Sequence, residues 1–174
     1  MSVAALPSCG GGGVERVSPT PRSAFRSTYP CELLTRATAA RILSIESPRR
    51  VGAQTLDGQR LCTWARGRYR AIPQIGLTIF ASERFHGKET FTRMQRRFER
   101  ERLPAQGYRR LSGIGDRAFL VSQGRAESSV LIAQGGRMLW LTLRLKRKPR
   151  SEPVPLAALE SIARRISADF DASR

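Results

Sequence analysis

Histidine and acidic residues are scarce in this chain, which limits the catalytic chemistry it can support. The 174 residues contain one histidine, His86, and 14 acidic residues against 31 lysines and arginines. A nucleophilic serine or cysteine would have His86 as its one possible imidazole base, yet His86 lies in the loop-like segment RFHGKE. Carboxylates alternate with arginines, as in RRFERER, which is typical of ion pairing on a helix surface. We therefore predict no catalytic residues and no enzyme activity.

Motifs for metals and nucleotides are missing as well. There is no CxxC pair, so three cysteines and one histidine do not indicate a zinc site. The glycine-rich segments SGIGDR and QGGR lack the lysine-serine pair of a phosphate-binding loop, and GIGDRA lacks the GxGxxG spacing. Tight turns explain both segments, because glycine tolerates positive φ. We predict no metal and no cofactor.

Lysine is also rare, although the chain is strongly basic. The formal net charge is +17, and 28 of the 31 positive residues are arginine, since only Lys88, Lys146 and Lys148 are lysines. This excess reflects either a GC-rich coding sequence or a selected basic surface. In both cases the surface attracts anions such as phosphates, acidic lipids, acidic polymers or nucleic acid.

Long apolar runs are absent too. No run approaches the ~18 apolar residues that a membrane-spanning helix needs. The apolar stretch Val3 to Leu6 is shorter than a secretory signal requires, and no charged segment precedes it. Residues 1–28 are rich in Gly, Pro, Ser and Arg, which predicts a flexible tether. Residues 29–172 are predicted to form a single domain.

What the chain does contain is a series of short amphipathic elements. CELLTRATAARILS is predicted to be a first helix, beginning at Thr35 as N-cap or one turn earlier at Glu32. RRVGAQTL, RLCTWARG and IGLTIFAS are predicted strands, followed by the amphipathic helix KETFTRMQRRFERERL. YRRLSGIGDRAFLVS, ESSVLIAQ and RMLWLTLRLKRK are further strands, and VPLAALESIARRISADF is a final helix. Short turns between consecutive strands predict an α+β fold, with an antiparallel sheet of about six strands and three helices packed on it.

Two of the three cysteines lie in predicted elements. Cys31 stands at the entrance of the first helix and Cys62 in a strand, where a bond between them would join helix and sheet. Two free buried thiols are the alternative, since free cysteine is often buried. Cys9 lies in the tether.

The order of three segments resembles a known family. CELLTRATAARIL, GQRLCTW and LSGIGDRAFLV, with a long helix before the third and hydrophobic strands after it, resemble a family of uncharacterised exported bacterial lipoproteins. This domain of unknown function is best populated in actinobacteria, and the likeness covers residues 31 to about 170. The resemblance implies a disulfide between Cys31 and Cys62, export, and often a lipid anchor. It implies no known enzyme activity.

The segment LPSC at residues 6–9 is similar to the end of a bacterial lipoprotein signal, in which the chain is cut before the cysteine and the cysteine is lipidated. We expect Cys9 to be the lipidated residue. The hypothesis requires the charged region and most of the apolar region of the signal to lie upstream of Met1. The alternative is a chance thiol in a disordered tail.

These observations favour a non-catalytic, lipid-anchored domain in the cell envelope, periplasmic or on the extracellular face of the membrane. It is predicted to bind an anionic or amphipathic envelope component or a protein partner. The first candidate surfaces are the sheet face with Met138 and Trp140 and the arginine face of the second predicted helix. The alternative is a cytosolic basic protein that binds nucleic acid, because RGRYR, QGYRR and LKRKPR interleave aromatic and cationic residues.

Overall fold

The computed structural model describes residues 27–56, 59–68, 72–80, 87–100, 107–123, 126–145 and 156–170. Their α-helices and strands, in chain order, are α1 (Pro30–Leu33), α2 (Arg36–Leu43), β1 (Arg49–Leu56), β2 (Gln59–Ala65), β3 (Gln74–Phe80), α3 (Gly87–Arg100), β4 (Arg109–Leu111), β5 (Arg117–Gln123), β6 (Glu127–Gln134), β7 (Arg137–Arg144) and α4 (Leu156–Asp169).

The strands form one antiparallel sheet of seven strands in the order β1-β2-β3-β7-β6-β5-β4. Each half of the sheet is a meander of neighbouring strands, and the halves join where β3 pairs with β7. The predicted α+β class with an antiparallel sheet is therefore confirmed. The count of about six strands is low by one.

The seventh strand comes from the segment YRRLSGIGDRAFLVS. The sequence predicts three or four strands after the second predicted helix, and the structure has four. Gly113 and Gly115 have φ of +67° and +55°, and the chain reverses there to give the separate strands β4 and β5. A Cβ on Gly115 would stand 2.6 Å from the carbonyl oxygen of Ala133, so this position has no room for a side chain. The prediction that SGIGDR is a tight turn is thus confirmed.

The first predicted helix is divided into α1 and α2 at Thr35. Thr35 has extended backbone angles, and its Oγ1 accepts a hydrogen bond of 3.3 Å from the backbone N–H of Thr38. Such a residue ends one helix and caps the next, so the described residues contain four helices where three were predicted. Ser44, in the left-handed region at φ 50°, ends α2.

The main core lies between the sheet and the layer formed by α1, α2 and α4. Its centre consists of apolar residues on the same face of β3, β6 and β7, all below 3% exposed: Ile75, Leu77, Ile79, Val130, Ile132, Leu139, Leu141 and Leu143. From α4, Leu159, Ile162 and Ile166 are buried against it at helical spacing, together with the following Phe170. The residues on one face of the strands and on one side of the last helix, given by the two-residue and helical periods, are therefore the ones that the structure buries in the core.

The cysteine segments form one packed unit. Cys31 and Cys62 are joined by a disulfide, with their Cα atoms 5.2 Å apart. Two residues after Cys62, the Trp64 indole donates a 2.7 Å hydrogen bond to the carbonyl oxygen of Leu34. Leu34 itself is fully buried. The disulfide and this hydrogen bond together fix α1 on β2.

Several predictions fall on residues that the structure does not describe. These are the tether up to residue 26, the lipidation site Cys9, the loop with His86, and LKRKPR beyond Leu145. Ser27 and Thr28, at the end of the predicted tether, are described and buried, and the Ser27 backbone N–H donates a 2.8 Å bond to the Asp169 carbonyl.

Candidate functional site

The second face of the sheet is only partly covered. Helix α3 packs over β5, β6 and one end of β7, where the Phe91 ring meets Phe119 with centroids 5.0 Å apart. Met138 lies under this helix and is 1% exposed. The neighbouring part of the same face, on β2, β3 and the other end of β7, forms an open groove of about 590 Å³. We call it the threonine groove.

Strand register explains which side chains line the threonine groove. Gly76 on β3 is paired with Thr63 on β2 and with Thr142 on β7, so these three form one row across the sheet. Directly paired residues of antiparallel strands point to the same face. The next row is Leu61, Thr78 and Trp140, and Gln74 with Arg144 forms the row at the other end. Ile72, 48% exposed, lines the groove before β3 begins.

The floor of the groove owes its depth to Gly76. A Cβ at this position would come within 3.1 Å of Thr63 Oγ1, closer than ordinary van der Waals contact. Any larger side chain would occupy the space between the threonines. Glycine in a central strand weakens the sheet, and it often marks a place where another group approaches the backbone closely.

Trp140 forms one wall of the groove and has an unused hydrogen-bond donor. Its ring stacks against Phe80 with centroids 6.4 Å apart and planes inclined by 23°. The indole nitrogen is buried and has no hydrogen-bond partner among the described residues. Burying an N–H group without a partner costs about 1–3 kcal/mol. Trp64, the other tryptophan, is fully satisfied by Leu34.

The charge in the groove is balanced. Arg144 donates from Nε and Nη2 to the two carboxylate oxygens of Glu127, at 2.9 and 3.4 Å. The remaining polar lining consists of threonine hydroxyls and the Gln74 amide. The groove therefore offers apolar surface and neutral hydrogen-bonding groups rather than net charge.

The structure separates the two residues that the sequence placed together as a candidate surface. Trp140 lines the groove as expected, whereas Met138 is packed under α3 and is not accessible. The arginines on the outer side of α3 (Arg93, Arg96, Arg97 and Arg100) are exposed, as predicted. Sequence reasoning placed Thr142 on the same strand face as Trp140 but missed Thr63 and Gly76, because these lie on other strands and only the strand order brings them together.

The predicted nucleic-acid clusters are spread over several elements and partly neutralised. In QGYRR, Arg109 pairs with Glu160 at 2.5 Å and Arg110 with Glu99 at 2.8 Å. Hydrogen bonds from Arg110, Gln95 and Tyr108, the first being the strongest, lower the pKa of Glu99 from 4.5 to about 2. Burial raises the pKa of the Tyr108 phenol. From RGRYR the structure describes Arg66 and Arg68, which are exposed.

Within the described ranges, no three His, Cys, Asp or Glu side chains lie close enough together to hold a metal ion. No helix among these residues is long and apolar enough to cross a membrane.

Comparisons with known proteins do not add an assignment. Protein-family models, curated proteins and solved structures were all compared with the chain, and none of them matches it.

Proposed function

We propose that this protein is a non-catalytic binding module of the cell envelope and that its ligand occupies the threonine groove. The ligand is a neutral amphipathic molecule. Its apolar part packs on Leu61, Ile72 and Trp140, and its hydroxyl or carbonyl groups bond to the threonines. Concave sites with mostly apolar walls and a few convergent polar groups are the usual form of small-molecule sites.

The unpartnered indole N–H of Trp140 is the observation that carries this proposal. Buried polar groups in folded proteins nearly always have a hydrogen-bond partner. The nitrogen is buried in the free protein, so a ligand oxygen reaches this N–H when the Trp140 ring moves, and it would then recover the stabilisation that the free protein lacks. Arg144, the charged residue in the groove lining, is not available to bind the ligand, because it is already paired with Glu127.

The disulfide supports the proposed location in the cell envelope. Stable disulfides form in oxidising compartments such as the periplasm and the extracellular space and are rare in the cytosol. The Cys31–Cys62 bond therefore favours export over the cytosolic nucleic-acid-binding alternative. Cys9, outside the described residues, is proposed as the lipid anchor that tethers the domain to the membrane.

Nuclear magnetic resonance of the indole N–H groups tests the groove. The chain has two tryptophans, so the spectrum of ¹⁵N-labelled protein shows two indole signals, which the Trp64→Phe variant assigns. The probe is octyl glucoside below its micelle concentration, a neutral molecule with an alkyl chain and a hydroxylated ring. We expect a saturable downfield shift of the Trp140 signal and an unchanged Trp64 signal.

A pair of valine variants supplies the control. Gly76→Val fills the groove floor and should abolish the shift. Ala158→Val adds a branched side chain at an exposed position of α4, away from the groove lining, and should retain it. Equal shifts of both indoles, no saturation, or an unchanged response in Gly76→Val would refute the groove as the site.

The envelope location has a separate test. Intact-mass measurement of the natively expressed protein, with and without reductant, reports the disulfide and any acylation of Cys9. A gain of two mass units on reduction and an added lipid mass are expected. Reduced thiols and an unmodified Cys9, together with salt-dependent retention on DNA or RNA, would instead favour the nucleic-acid alternative.

A further inference from the structure

A second concavity lies on the opposite face of the sheet, beside the disulfide. It has a volume of about 550 Å³ and is lined by residues of α1, α2, β1 and β2, including Cys31. Three arginines from three elements converge on it: Arg36 from α2, Arg50 from β1 and Arg60 from β2. We call it the arginine pocket.

Neutral groups hold two of these guanidinium groups in place. Arg60 Nη1 donates a 2.8 Å hydrogen bond to Thr28 Oγ1, and its guanidinium carbon lies 5.3 Å from the centroid of the Tyr29 ring. Arg36 Nη2 donates to Ser47 Oγ. The hydroxyl partners orient the arginines without cancelling their charge.

The pocket therefore keeps a net positive charge, because its three arginines outnumber the one carboxylate in its lining, that of Glu32. Within the described ranges, none of the three arginines is in salt-bridge distance of a carboxylate. The one acidic residue in the lining, Glu32, accepts a 2.5 Å hydrogen bond from the Ser27 hydroxyl instead. Arg109, Arg110 and Arg144 elsewhere on the surface each have a carboxylate partner.

From this arrangement we infer that the arginine pocket binds a phosphate group. Each guanidinium presents several N–H donors in a planar fork that matches the oxygens of a phosphate, and three forks suit an anion with several acceptor oxygens. The Tyr29 ring, 58% exposed at the rim, offers a flat surface for the part of the ligand that carries the phosphate. The same chemistry is presented by a soluble phosphate compound and by a phospholipid headgroup.

The disulfide pre-organises the pocket. Tyr29 directly precedes α1, which contains Cys31, Arg36 is the first residue of α2, and Arg60 lies two residues before Cys62. The bond therefore holds the two halves of the pocket at a fixed separation. Reduction is expected to weaken phosphate binding because the three guanidinium groups lose their common geometry. This site does not depend on the threonine groove, so either proposal can fail alone.

Titration with inorganic phosphate and sedimentation with vesicles distinguish the two sources. The vesicles are phosphatidylcholine with and without phosphatidylglycerol. Arg50→Gln and Arg60→Gln are each expected to weaken binding about tenfold, the usual cost of one charge-assisted hydrogen bond. The matched control is Arg41→Gln, which removes the same charge from an exposed position on α2 outside the pocket lining and should weaken binding less than twofold.

The outcomes separate clearly. Saturable phosphate binding that depends on Arg50 and Arg60 supports the pocket with a soluble ligand. Binding that appears only with phosphatidylglycerol vesicles and depends on the same two residues supports it with a lipid headgroup. The inference is overturned if neither probe binds, or if all three variants weaken binding equally. Thermal melting of each variant verifies that it is folded.

Discussion

Breaking the Cys31–Cys62 bond should cost this domain a large part of its stability. The bond closes a loop with a sequence separation of 31 residues. For a loop of this length, the loss of chain entropy in the unfolded state amounts to about 4 kcal/mol. A domain of this size has a total stability of about 5–15 kcal/mol, and each kcal/mol corresponds to about 3 °C in Tm. We therefore expect Tm to fall by about 10 °C.

Urea unfolding with and without a phosphine reductant measures this loss directly. Reduction is preferable to a serine variant, because Cys62 is fully buried and a buried hydroxyl there would add its own cost. Performing both measurements in a Cys9→Ser background confines the change to the structural pair. A loss below about 1 kcal/mol would refute the argument that the cross-link restricts the unfolded chain.

Two further predictions concern the turn and the surface. Gly115→Ala should lower the free energy of unfolding by about 3 kcal/mol or more, because the left-handed φ is strained and the new Cβ would clash with the Ala133 carbonyl. Gly113→Ala, which has the strained φ without that backbone clash, should lower it by about 1 kcal/mol. Equal losses in urea unfolding would contradict this. Glu99 should titrate near pH 2 by carboxyl carbon resonance, and Arg110→Gln should return its pKa toward 4.5. Since the folded-state pKa is lowered, the stabilisation from Glu99 is complete above pH about 4.5 and is lost as the pH falls toward 2. An unchanged pKa in the variant would show that Arg110 is not the main cause.

Local sequence patterns were sufficient to predict most of the helices and strands. The alternation in RMLWLTLR places Leu139, Leu141 and Leu143 on the face that the structure buries under the helices. The capping ability of Thr35 was visible in the sequence, because the hydroxyl and the following N–H groups are close in the chain. The same pattern did not show that α1 and α2 are separate helices, since helix formers stand on both sides of the cap.

The number of strands is a feature that local sequence patterns do not predict. A run such as YRRLSGIGDRAFLVS has strand-like residues at both ends, and glycine permits either a bulge or a reversal in the middle. The reversal depends on contacts from other elements: Gly115 donates its N–H to Ser167 on α4 at 2.8 Å, and Asp116 accepts from the Gly135 N–H at 3.0 Å. Neither partner is a sequence neighbour.

The sequence by itself determined the α+β class, the faces of the strands and the helices, and the two cysteines able to join a helix to the sheet. These depend on interactions between residues that are close in the chain or on side-chain periodicity. Only the tertiary structure decided that β3 pairs with β7, and that pairing places Gly76 between Thr63 and Thr142. Helix α3 then leaves this part of the sheet open while it buries Met138. The threonine groove combines β2 and β3 with β7, which is distant from them in sequence, and such long-range pairing carries no local signal.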